Sequence, residues 1–275
     1  MESFISKALV KKDLTDIVRS KTLLITMIAI PILFTVLFPA LLMGSALFFD
    51  LEEIAGEDGR KLVSVFAGSS MGSAVSAYSL EQQMTYIFIN YMLPTLFLLV
   101  PIITAMTVAA NSFVGEKERR TLESLLFAPV SIHKLFLSKV AASFIPPFLV
   151  SIISFLVCGI IINVLGYPLF RELIFPSANW IVLITCLSPM VILLVVLVNI
   201  VISSKVKTYQ EAQNIGGVIV LPVVGMLVGQ ISGLFLLGVG LILIISLGVL
   251  LVNLMLWHRI SKHNDRFALF EKQIH

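Results

Sequence analysis

Long stretches without any charge are the feature that most constrains this chain. Five runs of at least 28 residues contain no Asp, Glu, Lys or Arg, and they cover 22–49, 82–115, 140–170, 173–204 and 212–258. A helix needs about 20 mostly apolar residues to cross a bilayer. Each of the five runs exceeds that length, so the sequence predicts helices that span a membrane.

Composition points to the same class of protein. Hydrophobic residues make up 58% of the chain and charged residues 13%, whereas a soluble domain carries about 25% charged residues. The net charge of +3 is too small to indicate a nucleic-acid partner. Cys158 and Cys186 lie inside apolar runs, where lone cysteines behave as small hydrophobic residues. We therefore expect neither a disulfide framework nor a metal site.

The last uncharged run is long enough for two helices, because 212–258 holds 47 residues. Gly225, Gln230, Ser232 and Gly233 mark the expected turn between them. We therefore predict an all-α integral membrane fold with six transmembrane helices. The predicted spans lie near 22–48, 86–110, 135–165, 177–203, 213–231 and 235–257.

The distribution of lysine and arginine predicts the orientation, because cytoplasmic segments carry an excess of these residues. If both termini are cytoplasmic, 16 of the 19 Lys and Arg residues fall on that side, and the exceptions are Arg60, Lys61 and Arg171. We therefore expect cytoplasmic N- and C-termini. A cleaved signal peptide is the competing interpretation of the first run, but its apolar core would be only about 7–15 residues long.

The segment before the first span, 1–21, is amphipathic. Val10, Leu14, Ile17 and Val18 follow the spacing i, i+4, i+7, i+8, which is typical of one helix face. Such a helix can lie in the membrane interface with its apolar side buried. We predict an N-terminal interfacial helix, and a solvated cytoplasmic helix is the alternative.

The segment 112–134, between the second and third predicted spans, has an unusual mixture of charges. A preference for positive charge on the cytoplasmic side accounts for its lysines and arginines, but not for Glu116, Glu118 and Glu123. Glutamate and arginine lie four residues apart at 116/120 and again at 119/123, a spacing that favours ion pairs on one helix face. We predict a short cytoplasmic helix that ends before Pro129. It is either a solvated connector or a shaped surface for a partner.

Proline occurs in nearly every predicted span, for example at Pro31, Pro94 and Pro189. A proline inside a helix frees a backbone carbonyl and tends to bend the helix. Two interpretations stay open: the ordinary composition of membrane helices, and bent helices that line a path which opens and closes.

The predicted spans contain no charged residue in their interiors, where coupled carriers usually place theirs. The metalloprotease motif H-E-x-x-H and the nucleotide-binding loop are missing, and no His or Lys lies within the membrane as a base for a serine nucleophile. A stand-alone membrane enzyme is therefore disfavoured, and energy for any transport must come from another chain. Most neutral polar residues in the spans should join helices, and we take Asn90, Asn199 and Asn214 as candidates for a translocation path.

The stretch GEKERRTLESLLFAPVSIHKLFLSKV resembles the signature of ABC-2 type transporter membrane subunits, approximately E-[KR]-E-x-G-T-L-E-x-L-L-x-x-P-[VI] followed by a helix that carries a lysine. Lys139 suits that lysine, whereas Arg120 replaces the common glycine. A second patch, SSKVKTYQEAQNIGGVIVLP, resembles the family's connection between spans four and five. The matching signature residues are Glu116, Lys117, Glu118, Thr121, Leu122, Glu123, Leu125, Leu126, Pro129 and Val130.

The resemblance implies a single transmembrane domain over 1–275 with the fold of type V exporters. It implies a permease subunit that forms the path, pairs with a second permease as a homo- or heterodimer, and sits in the plasma or inner membrane. It further implies that a separate ATPase subunit binds ATP and Mg²⁺, so that no cofactor belongs to this chain. The residues expected to dock that ATPase are Glu116, Lys117, Glu118, Arg119, Arg120, Thr121, Leu122 and Glu123.

The same resemblance leaves a second function open. Some relatives act in immunity or protein maturation, so the chain could be a membrane anchor or assembly factor that recruits an ATPase without exporting a substrate. The identity of any substrate does not follow from the sequence.

Overall fold

A computed structural model describes residues 7–48, 78–118 and 132–264, together with Gly56, Val63, Ser64 and Phe66. The regular structure within these residues is entirely helical, which confirms the predicted all-α class. The N-terminal helix α1 covers Lys7–Arg19. Six helices are long and apolar enough to cross a membrane, as predicted. They are α2 (Lys21–Ala46), α3 (Leu80–Glu118), α4 (Ile132–Phe170), α5 (Ala178–Ser203), α6 (Tyr209–Ile231) and α7 (Val239–Asn264).

Helix α3 forms the centre of the bundle. Its most apolar window is 89% buried, against 28% for α2 and 17% for α7. It packs against α2, α4, α5 and α6, while α7 packs mainly on α5 and α1 lies against α4 and α2. The apolar surfaces of the outer helices therefore face away from the bundle, as expected for contact with lipid.

Helix α3 also extends beyond the predicted span 86–110 at both ends. Its last turns include Asn111–Gly115 and Glu116–Glu118, so the segment 112–134 begins inside the helix rather than as a separate loop. Glutamate and lysine are good helix formers, and charge alone does not end a helix whose side chains find partners. Hydropathy indicates where a span leaves the apolar layer, whereas the helix continues as far as helix-forming residues allow.

Side-chain and backbone hydrogen bonds define several helix ends. Ser79 with Gln82 forms a capping box at the start of α3, and Thr208 with Glu211 forms another at the start of α6. Helix α6 ends where Gly233, at φ 72°, and Leu234 donate backbone hydrogen bonds back to Gln230 and Gly229. This is a Schellman ending, in which glycine adopts the left-handed conformation at low cost. It lies in the turn predicted from the glycine and polar residues.

In the described part of the chain, four short π-helical turns interrupt the long helices, at Ile32–Leu37, Phe88–Met92, Asn111–Gly115 and Leu183–Leu187. Pro31 directly precedes the first, while Pro94 and Pro189 follow two of the others after one intervening residue. Proline lacks the N–H that would complete the α-helical pattern. At Pro94 and Pro189, whose missing N–H groups would have reached Asn90 and Thr185, the predicted disturbance therefore takes the form of local π turns within continuous helices.

Candidate functional site

Charged residues from three helices meet at the end of the bundle where α3 finishes. Lys139 of α4 is only 3% exposed. Its ammonium donates a hydrogen bond to the carbonyl of Ser112, 2.9 Å away, and forms an ion pair with Glu116 of α3. Lys12 of α1 binds the same glutamate, with 3.0 Å between Nζ and Oε1. Asp13 completes the group, its Oδ2 lying 4.0 Å from Lys139 Nζ. We call Lys12, Asp13, Glu116 and Lys139 the charged junction.

The contacts of Lys139 explain why a buried ammonium is tolerated. Removing an ammonium from water costs several kcal/mol unless an opposite charge and hydrogen bonds compensate. Glu116 supplies the charge and Ser112 a carbonyl oxygen. The ring of Phe113 adds a cation–π contact, with its centroid 5.8 Å from Nζ. Because each contact comes from the last turns of α3, the lysine joins the start of α4 to the end of α3.

Asp13 is the least satisfied member of the charged junction. Its side chain is buried, and Oδ2 accepts no hydrogen bond from the described residues. Burial raises the pKa of this carboxyl above its usual value, although the ammonium of Lys139 acts in the opposite direction. For Lys12, partial burial by itself would lower the pKa, but the hydrogen bond and charge of Glu116 outweigh it and raise the pKa. The junction thus contains one carboxyl that takes up a proton more readily than usual.

The two residues after Glu116 bind different helices. Lys117 donates to the carbonyls of Ser203, at the end of α5, and Val206, with distances of 3.3 and 3.0 Å. A cation is favourable there because the last carbonyls of a helix carry partial negative charge. Glu118 accepts a hydrogen bond of 2.9 Å from the backbone N–H of Tyr209, at the start of α6, where a negative charge is favourable. Three consecutive side chains therefore contact α1 and α4, then α5, then α6.

Only part of the predicted docking segment is described. Glu116, Lys117 and Glu118 form the intramolecular contacts above, whereas Arg119, Arg120, Thr121, Leu122 and Glu123 lie outside the described residues. The predicted pairs 116/120 and 119/123 each include such a residue, so they stay predictions, as does the docking role itself. Sequence reasoning identified Lys139 only through the family signature. It missed Lys12 and Asp13 as partners, because contacts between residues about a hundred positions apart leave no local pattern.

The three candidate path residues lie in different surroundings. Asn90 and Asn199 are buried, and their side-chain amides donate to the carbonyls of Tyr86 and Val195 one turn earlier, at 3.2 and 2.9 Å. Asn214 is exposed on α6. Asn90 lies 28 positions before the end of α3, or about 42 Å along an ideal helix. Asn199 is four residues from the end of α5, where Lys117 binds the carbonyl of Ser203. The structure does not bring the three together within one chain, and the path assignment stays a prediction.

The surroundings of Asn90 reveal a second polar cluster, at the opposite end of the bundle. Three successive carbonyls of the π turn Phe88–Met92 accept side-chain hydrogen bonds. The donors are Trp180 Nε1 to Ile89 (3.0 Å), Asn179 Nδ2 to Asn90 (2.9 Å) and Gln230 Nε2 to Tyr91 (3.3 Å). Pro94 cannot supply the N–H that would normally reach Asn90, so Asn179 satisfies a carbonyl that would be costly to leave unpaired in a membrane. The cluster joins α3 to α5 and α6.

Comparison with known proteins identifies the family. The family described as ABC-2 family transporter protein matches residues 7–256, which include α1 and about two thirds of α7. No curated protein and no solved structure matches the chain. The matched range contains the charged junction and both ends of the predicted docking segment. With six helices capable of spanning a membrane and a family match over most of its length, the chain belongs to the ABC-2 transporter family of multi-pass membrane proteins.

Proposed function

We propose that this chain is the permease subunit of an ATP-driven exporter, and that the segment between α3 and α4 passes the motion of a separate ATPase subunit to the transmembrane helices. The observation that carries the proposal is the set of contacts made by Glu116, Lys117 and Glu118. These residues form the first part of the predicted docking segment and together contact α1, α4, α5 and α6.

The contacts give a physical route for such a motion. Coupling between distant sites needs packed elements with specific contacts at both sites. A displacement of the segment 119–131 acts on the end of α3 through Glu118 and on the start of α4 through Ile132. Glu116 and Lys139 tie these two helices together, so they move as a pair. Lys117 and Glu118 pass the same displacement to the adjoining ends of α5 and α6.

Other parts of the proposal come from the family. ATP and Mg²⁺ bind to the ATPase partner, a second permease subunit completes the path, and the protein lies in the plasma or inner membrane. The distribution of lysine and arginine predicts that both termini are cytoplasmic. Mixed charges on a docking surface favour one partner and one register more than they raise affinity. The charges of 119–123 serve that purpose, while those of 116–118 hold the helices.

The test is coupled transport with a matched pair of variants. The chain is co-expressed with the ATPase encoded nearest to its gene, and the purified complex is reconstituted in vesicles. We expect Glu118→Ala to keep the complex intact but to lower substrate-stimulated ATP hydrolysis and vectorial transport, because the contact with the start of α6 is lost. Glu81→Ala, the same change in the first turn of α3, serves as the control.

The outcomes distinguish the candidate functions. Failure to form a complex with any such ATPase overturns the proposal. A stable complex that moves no substrate in any direction supports instead the anchor or assembly role. Equal losses of coupling in Glu118→Ala and Glu81→Ala contradict the route through the end of α3.

A further inference from the structure

An open groove of about 600 Å³ lies on the surface between α1 and the early turns of α4. Its floor is apolar and comes from both helices: Val10, Leu14 and Val18 from α1, with Ala141 and Ile145 from α4. Val18 is 64% exposed, although it belongs to the apolar stripe of α1. A hydrophobic surface is therefore left uncovered at the charged end of the bundle.

The rim of the groove is positively charged. Lys7, Lys11, Thr15 and Arg19 line it at intervals of four residues, so they form one stripe beside the apolar one. The three cations are exposed. The two acidic residues of α1, Asp13 and Asp16, lie on a different side of the helix and contact Lys12 at 3.6 and 3.7 Å. The described lining of the groove thus contains three positive charges and no acidic side chain.

The apolar floor continues along the outside of α4. Ala141, Ile145, Leu149 and Ile153 are spaced by four residues and share one face of the helix. Leu149 and Ile153 are 52% and 60% exposed and belong to the part of α4 that is apolar enough to lie in the membrane. A single surface therefore leads from the charged rim to the lipid-facing side of the bundle.

We propose that this groove binds one anionic phospholipid. Lys7, Lys11 and Arg19 contact the phosphate and headgroup, and an acyl chain follows the stripe from Ile145 to Ile153. A basic cluster on an amphipathic helix attracts anionic lipids, and the apolar floor requires a ligand that also has a hydrocarbon part. A soluble phosphate compound would leave that floor uncovered, so the lipid is the better fit. Lipid binding in this groove requires neither transport activity nor an ATPase.

The test compares lipid retention in matched variants. The full-length protein is purified from nanodiscs with equal amounts of phosphatidylglycerol and phosphatidylcholine of the same acyl chains, and retained lipids are counted by native mass spectrometry. We expect wild-type protein to retain phosphatidylglycerol preferentially. Each charge removed in K7Q, K11Q and R19Q should weaken that preference by about fivefold. The control is K205Q/R259Q/K262Q, which removes three exposed cations at the same end of the bundle.

A second variant separates lipid binding from attraction of the headgroup alone. Ile145→Ser keeps the net charge but makes the floor more polar, so we expect it to reduce retention of phosphatidylglycerol as well. Thermal unfolding in a neutral detergent should be unchanged for the rim variants, because their side chains are exposed. The proposal is overturned if wild-type protein shows no preference for phosphatidylglycerol. It is also overturned if the control loses as much preference as the rim variants, or if glycerol phosphate displaces the bound lipid.

Discussion

Lys139 shows how one residue can decide the structure of the charged junction. It is nearly fully buried, and its contacts with Glu116 and Ser112 are the reason that burial is tolerated. The energetic asymmetry of such pairs is large. Replacing both partners by apolar groups can be neutral, whereas removing one partner leaves an uncompensated charge.

The first prediction concerns the loss of that ammonium. We expect Lys139→Met to lower the free energy of unfolding by about 1–3 kcal/mol, because Glu116 then loses its buried partner but keeps the ion pair with Lys12. The measurement is thermal or denaturant unfolding in detergent, with Lys262→Met, an exposed site, as the control. Adding Glu116→Gln to Lys139→Met should recover part of the loss, and strict additivity of the two changes would contradict a direct pair.

The second prediction concerns pH and Asp13. Because its pKa is raised above 3.8 in the folded protein, the folded state binds this proton more tightly than the unfolded state. The resulting stabilisation is complete below the unfolded pKa and is lost as pH rises through the folded pKa. Compared with wild type, Asp13→Asn should therefore gain relative stability as pH is raised from 4 to 7. Unfolding curves of both proteins across that range provide the measurement. The prediction is contradicted if the stability of Asp13→Asn relative to wild type is lower at pH 7 than at pH 4.

At the scale of elements, close packing of the helices depends on a few small residues. A Cβ added to Gly159 of α4 would lie 2.4 Å from Cε1 of Phe175, in the segment between α4 and α5. The ring of Phe175 also packs against the ring of Trp180, with centroids 5.0 Å apart. By contrast, a Cβ on Gly248 of α7 would meet nothing within 4 Å. The two glycines occupy similar apolar sequences, so their different roles follow only from the packing.

The third prediction concerns alanine substitutions at Gly159 and Gly248. Gly159→Ala should lower the free energy of unfolding by about 1–3 kcal/mol, because Phe175 must leave its position. Gly248→Ala should be neutral or stabilising by up to about 1 kcal/mol, since alanine favours the helix. Unfolding of both variants in the same detergent is the measurement. Equal effects would show that contact with Phe175 does not set the cost.

At the scale of the whole molecule, the orientation is open to a direct test. The excess of lysine and arginine predicts that the end with the charged junction faces the cytoplasm. In a protein with Cys158 and Cys186 replaced by alanine, Lys262→Cys should react with an impermeant thiol reagent only after the cells are permeabilised. Leu234→Cys, in the exposed turn after α6, should react in intact cells. The reverse pattern would invert the predicted topology.

The sequence was informative where a pattern is local, and uninformative where contacts are distant. The six spans follow from uncharged runs, because the bilayer imposes one minimum length on every crossing helix. The continuity of α3 from the membrane span through Glu118 escaped prediction. The apolar sequence ends where the charged residues begin, but the helix continues. The contact between Lys12 and Glu116 joins residues 104 positions apart. Nothing in the residues near either one indicates its partner.

The length of α3 has a mechanical consequence. Its 39 residues extend for about 58 Å at the helical rise of 1.5 Å per residue, and the charged junction holds one end. The helix also packs against α2, α4, α5 and α6, and the carbonyls of Phe88–Met92 accept hydrogen bonds from α5 and α6, so its other end is held as well. By the same geometry, each degree of tilt about the junction displaces Leu80 by about 1 Å. Under the proposed function, a displacement where Glu118 leads into the next segment would therefore move α5 and α6 together with α3.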